Sequence, residues 1–189
     1  MQSLEPVSPS ELEISHLRRA ASSTACWVLL MFAASRLMLL ALIVFSRQII
    51  EHGPFVAISR QNEHGGTLLD ILTQWDGVWY RLIAQHGYAP PTPELAPAFF
   101  PVYPMLVHAA AFIVRDFQVA SVLVSNSCLI ASALLLVRLL RLDYDELICR
   151  RAITFLMFNP VSFFLSAAYS ESAFLLLSIG ALLAARQEK

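Results

Sequence analysis

QWDGVWYRLIAQHGYAPPTPELAPAFFPVYP, residues 74–104, is the stretch on which the reading of this chain turns. It is crowded with Trp, Tyr and Phe, punctuated by prolines after Tyr88, and carries an acid, Asp76, among tryptophans. Linkers avoid large aromatics, and a membrane span does not tolerate so many prolines. Yet the stretch lies between segments apolar enough to cross a bilayer. It reads as a site at a membrane surface.

Working outward, 57% of the 189 residues are hydrophobic and only 14% charged, with mean hydropathy +0.62. Soluble domains hold roughly 45–50% apolar and 25% charged residues, so the composition is that of a polytopic membrane protein and the expected fold is an all-α membrane helical bundle. A formal net charge of -1 gives no basic face to displace counterions from a nucleic acid. Cys26, Cys128 and Cys149 are too far apart in sequence to suggest a disulfide framework or thiolate site. The histidines form no HExxH pair, and the loop has no DxD, so neither a metal nor another cofactor is expected.

In chain order, 1–23 is a polar tail and 24–45 an uncleaved first span, too long for the apolar core of a signal peptide. Arg36 lies inside that span, where a bare charge costs about 2.5–3.5 kcal/mol. It therefore needs a partner: an acid or the interface on one reading, the phosphate of a lipid substrate on another. Residues 46–116 form the long first loop. Within it Leu72, Trp75, Trp79, Leu82, Ile83 and His86 recur at spacings of three and four, which predicts one amphipathic helix along that face, ending at Gly87. Asp76 and Tyr80 are one turn apart on it. Phe99 to Val114, interrupted by Pro101 and Pro104, is too short to cross and is expected in the interface. A second span covers 117–140, a basic loop 141–151, and one or two further membrane helices 152–185, before the polar end 186–189. In that last segment either a pair of short helices turns near Glu171 or one tilted helix starts at Pro160. Cationic residues concentrate in the tail and the short loop, so by the positive-inside rule both are cytosolic and the Asp76 loop is on the outer or lumenal side.

Indole faces stack on sugar rings and a carboxylate can deprotonate a hydroxyl, so Trp75, Asp76, Trp79 and Tyr80 suit carbohydrate chemistry. The same aromatics suit a girdle that anchors any membrane protein, and Asp76 suits a helix cap. Glu171, an acid amid apolar sequence, must face protein, water or substrate.

WDGVWYRLIAQHGY, AFFPVYP and NPVSFFLSAAYSESAFLLLS resemble, in order and separation, the signatures of the PIG-V family, the second mannosyltransferases of GPI-anchor assembly and their prokaryotic relatives. The resemblance covers about Arg36 to Ser178. It implies a glycosyltransferase of GT-C type, moving mannose from dolichyl or polyprenyl phosphate mannose to a lipid-linked acceptor on the non-cytosolic face. By the same resemblance Asp76 is the catalytic base. Trp75, Trp79 and Tyr80 orient the sugar or lipid head, Arg81 and Arg36 offset the leaving phosphate, and Tyr169, Ser170 and Glu171 close the site. The expected partners are the lipid-phosphate sugar donor, a glycolipid acceptor, membrane lipid and a further membrane subunit. The expected location is the endoplasmic reticulum membrane in a eukaryote and the plasma membrane in a prokaryote. GT-C enzymes have more spans than are readable here, which is expected of an N-terminal fragment, a truncated reading frame or a split subunit. Two other classes fit the residues: a catalytically inactive membrane scaffold, and a transporter of a lipid-linked substrate that uses Arg36 and Glu171 as coupling charges.

Overall fold

The computed structural model describes residues 9–52, 68–89 and 96–187, and these contain helices and turns but no strand. The helices are α1 (Pro9–His52), α2 (Leu68–Leu72), α3 (Asp76–His86), α4 (Val102–Val114), α5 (Phe117–Leu140), α6 (Glu146–Phe158) and α7 (Glu171–Gln187), with 3-10 turns at Ala96–Ala98 and Pro160–Phe163. Ser23–Ser46 within α1 and the whole of α5 are long and apolar enough to cross a membrane.

These two helices run antiparallel. Thr24 of α1 hydrogen-bonds Glu146 and Arg141, just past the end of α5. At the opposite end, Gln118 in the first turn of α5 donates to Asp70 at 2.7 Å and Thr73 at 3.0 Å, in the segment that follows α1. The first-loop elements α2 to α4 thus gather at one end, and the basic residues Arg138, Arg141, Arg150 and Arg151 at the other. Arg150 and Arg151 lie on α6 rather than in a loop.

α4 runs through Pro104 as its third residue, where a backbone N–H would have no helical partner and proline costs little. It ends at Arg115 in a left-handed conformation (φ 60°). Asp116 then caps α5, its side chain accepting from the Gln118 and Val119 amides at 2.7 and 2.9 Å. Small residues at the contact, Ala111 and Ala120, let α4 fold closely back on α5.

α6 climbs beside α1 and α5, burying Ile153 and Met157 against Val28, Leu129 and Ala133. It stops at Asn159, whose side chain accepts from the Val161 amide at 3.0 Å, and Pro160 opens the 3-10 turn. The last segment is therefore two helices joined by residues 159–170, with Glu171 the first residue of α7. α7 packs along α5 and ends with Arg186 paired to Asp143 at 2.7 Å.

One expectation fails. The stripe that begins at Leu72 is not a single helix, because Trp75 takes φ 51° and separates α2 from α3. Leu72 belongs to α2. A positive φ on a bulky residue is rare, so helical spacing alone gives no sign of the break.

Candidate active site

The turn at residues 164–170 is the platform on which the beginning of α3 rests. The Ala168 amide donates to the Leu72 carbonyl at 2.7 Å. Gly77 lies directly against it: a Cβ there would sit 3.3 Å from the Ala168 Cβ and 3.4 Å from its carbonyl oxygen. One turn further along α3, the Tyr80 hydroxyl shares a 2.8 Å hydrogen bond with Ser170. Asp76 thus opens α3 beside the residues that open α7. Both acids, Asp76 and Glu171, occupy first helical turns, where the helix dipole favours negative charge. Among the described residues the Asp76 carboxylate has no hydrogen-bond or ion-pair partner, and the Glu171 carboxylate accepts from its own backbone amide and pairs with no cation.

Two phenols share the field of these acids. Burial raises Tyr80 above the usual tyrosine range despite its bond to Ser170, and Glu171 and Asp76 push it further up. Burial likewise raises Tyr169, with Asp76 and Glu171 adding to the shift. Partial burial raises the Glu171 carboxyl; a bond from its own backbone amide opposes the shift, and the charge of Asp76 adds to it. Asp76, Tyr80, Tyr169, Ser170 and Glu171 therefore form one electrostatic unit drawn from α3, the 164–170 turn and α7.

The aromatic residues surround it unevenly. Trp75, at the break before α3, is 71% exposed. Trp79 stacks on Phe99 with centroids 5.6 Å apart and planes inclined by 13°. Phe99 meets Tyr80 edge-on at 5.1 Å, and its carbonyl accepts from the Tyr88 hydroxyl at 2.6 Å. Phe99 and Tyr103, both from AFFPVYP, thus back the helix that carries Asp76.

The two arginines are placed apart from this unit. Arg36 meets no acid among the described residues: it donates to the Ser166 hydroxyl and, at 3.5 Å each, to the carbonyls of Ser162 and Met157. Ser166 in turn donates to Asn126 of α5 at 2.8 Å. The charge inside α1 is thus used to hold the end of α6 and the underside of the turn, where exposed carbonyls attract a cation. Arg81 is half-buried with no acid partner among the described residues. It lies five positions beyond Asp76, about 140° round α3 and roughly 7.5 Å along it.

Gly77, Ala168, Tyr103, Ser125, Asn126 and Ser166 hold the site together and were not singled out by the sequence. Their motifs were visible, but their partners lie 18 to 130 positions away. A groove of about 660 Å³ also runs between α3 and α4, along Ala84, His86, Met105, His108 and Phe112. It borders the far half of α3, away from Asp76, and His108 Nδ1 donates across it to the Ala84 carbonyl at 2.7 Å.

A helical protein with two membrane-length helices, and two carboxylates without a cationic partner among the described residues beside phenols and an aromatic shelf, has the makings of a membrane enzyme acting on hydroxyl-bearing substrates. The chain belongs to the mannosyltransferase (PIG-V) family, whose profile matches residues 28–188. Comparison with curated proteins and with solved structures finds no match. Membership implies mannosyl transfer and association with a membrane.

Proposed function

We propose that the chain transfers mannose from a polyprenyl or dolichyl phosphate mannose to a hydroxyl of a glycolipid acceptor, with Asp76 as general base and inversion at the anomeric carbon. The observation that carries this reading is the Asp76 carboxylate. It is exposed at the first turn of α3, left without a side-chain partner, and held beside Tyr80, Tyr169, Ser170 and Glu171. A structural acid would be paired or would cap its helix, whereas α3 has no side-chain cap bond.

In the proposed step, Asp76 accepts the acceptor hydroxyl's proton as that oxygen forms a bond to the mannose C1 and the bond from C1 to the phosphate oxygen breaks. The phosphate departs with the electron pair of that bond. Arg81 has no acid partner among the described residues and is the cation assigned to that charge, which it would meet from the side of α3 about 140° away from Asp76. Arg36 is occupied with the carbonyls and hydroxyl of the turn, which supports a structural part for it and weakens the transporter reading. Exposed Trp75 offers an indole face to a sugar ring. Placing α2 to α4 on the non-cytosolic side rests on the concentration of arginines at the other end.

The test is transfer of labelled mannose from polyprenyl phosphate mannose in membranes carrying the parent or Asp76→Asn at equal inserted amounts. Loss of a general base costs roughly 10²- to 10⁴-fold, so product should nearly vanish in the variant. Equal product from both would remove Asp76 as the base.

A further inference from the structure

Tyr103 is 1% exposed, the largest fully buried side chain among the described residues, yet it carries a hydroxyl into the core. That hydroxyl lies 2.8 Å from Ser125 Oγ and 2.9 Å from the Ser121 carbonyl. Ser125 Oγ donates onward to the Tyr169 carbonyl at 3.3 Å. The proton order that keeps every link has Tyr103 donating to Ser125 and Ser125 to Tyr169, with the Ser121 carbonyl sharing the Tyr103 proton. Burial holds the Tyr103 phenol far above its ordinary range, so it remains a donor at any physiological pH.

The ring of Tyr103 works in the other direction. It meets the Tyr80 ring edge-on, centroids 5.0 Å apart, and the Tyr80 hydroxyl reaches Ser170. The contacts close into a circuit: Tyr103 to Ser125, Ser125 to the Tyr169 backbone, Ser170 to Tyr80, and Tyr80 back to Tyr103. The circuit crosses α4, α5, the turn and α3. Asp76 is one helical turn before Tyr80, and Glu171 is the residue after Ser170.

We infer that Tyr103 is a positioning residue for the transfer: by fixing the Tyr169 backbone through Ser125 and the Tyr80 side chain through its ring, it sets the separation of Asp76 from Ser170 and Glu171. The inference rests on the mannosyl-transfer reading of this site. Misplacing a reacting group by about 1 Å can cost roughly 10²-fold in rate, and slackening one link of four should cost less, about tenfold. Because every substrate-touching side chain is retained and only the spacing of the base from the rest of the site changes, the loss falls on kcat, with KM for the donor nearly unchanged.

Two measurements test it. In membranes with equal inserted protein, Tyr103→Phe and Ser125→Ala should each lower kcat about tenfold, and the double variant should be no worse than Ser125→Ala, which already removes both bonds of the arm from Tyr103 to the Tyr169 carbonyl. Independently of transfer, cysteines placed at Asp76 and Glu171, with Cys26, Cys128 and Cys149 changed to Ala, report the separation by their rate of coupling to a short bis-maleimide. Tyr103→Phe should change that rate several-fold at an unaltered thermal midpoint. An unchanged coupling rate, or additive kcat losses that track the thermal midpoint, overturns the inference and leaves Tyr103 an ordinary core residue. If no form transfers mannose while Tyr103→Phe still alters coupling, the positioning stands and the mannosyl-transfer reading is what fails.

Discussion

Gly77 shows how little room the site allows at the level of a single residue. Its Cα faces Ala168, which is pinned by the bond from its amide to Leu72 and so has little freedom to retreat. Gly77→Ala gains helix propensity of about 1 kcal/mol, which offsets much of the overpacking, typically about 1–3 kcal/mol. The thermal midpoint should therefore shift little. The start of α3 must nevertheless move by a few tenths of an ångström, and mannosyl transfer should fall about tenfold. A transfer assay paired with a melting curve separates the two effects; a large loss of stability with normal turnover would contradict this account. Legibility at this scale was mixed. That Arg36 needs a partner follows from its place in an apolar run. Which partner does not, because Ser166 lies 130 positions away and is one of many serines. Tyr103 read as one more interfacial aromatic, since nothing local distinguishes a phenol with buried acceptors from one at the headgroups.

Among the elements, α6 depends on its first turn. Glu146 receives hydrogen bonds from Thr24, Arg141 and Arg150 and so ties together α1, the end of α5 and α6. Burial opposes its ionisation, but those three donors prevail and hold its carboxyl at about 2. A carboxyl depressed on folding contributes stability above its unfolded value, near 4.3, and loses that contribution as pH falls through its folded value. Glu146→Gln should thus lower the thermal midpoint at pH 7, and the gap from the parent should close as pH falls toward 2. The carboxylate is 39% exposed, so water screens it and the effect should be about 1 kcal/mol or less. A gap that stays constant with pH would assign the effect to packing. Element ends were the least legible feature of the sequence. Hydrophobic spacing located α5 and most of α3, but the break at Trp75 is a positive-φ backbone conformation shortly after Leu72, whose carbonyl is bonded by Ala168 from some 96 positions away. The start of α6 likewise depends on a cap at Asp145 within what read as a basic loop.

At the scale of the molecule, the arrangement is polar at both ends and apolar along its flanks, where Leu37, Phe45, Phe112, Ile113 and Phe174 are exposed. Thr24 and Glu146 at one end, and Gln118 and Asp70 at the other, fix which loops share a side. A cysteine at Gln85 should therefore react with an impermeant maleimide only from the non-cytosolic face, and one at Leu142 only from the cytosol. Labelling of both from one face would contradict the antiparallel course of α1 and α5. The helical class and the order of the membrane-length segments were legible from composition, because a bilayer leaves a chain few alternatives. The site was legible as a list of residues and illegible as a shape, since its floor comes from a turn between two later helices.

That floor has a bearing on biosynthesis. α3 is made early, but Ala168 and Ser170, which orient its first turns, leave the ribosome some ninety residues later. At elongation rates of about 5–20 residues per second, the helix that carries Asp76 waits roughly 5–18 seconds before its seat arrives. Contacts so distant in sequence are slow to close. The candidate site is thus among the last parts of the described chain to mature, and throughout that interval an unpaired acid and an exposed indole stand open to whatever tends the nascent chain.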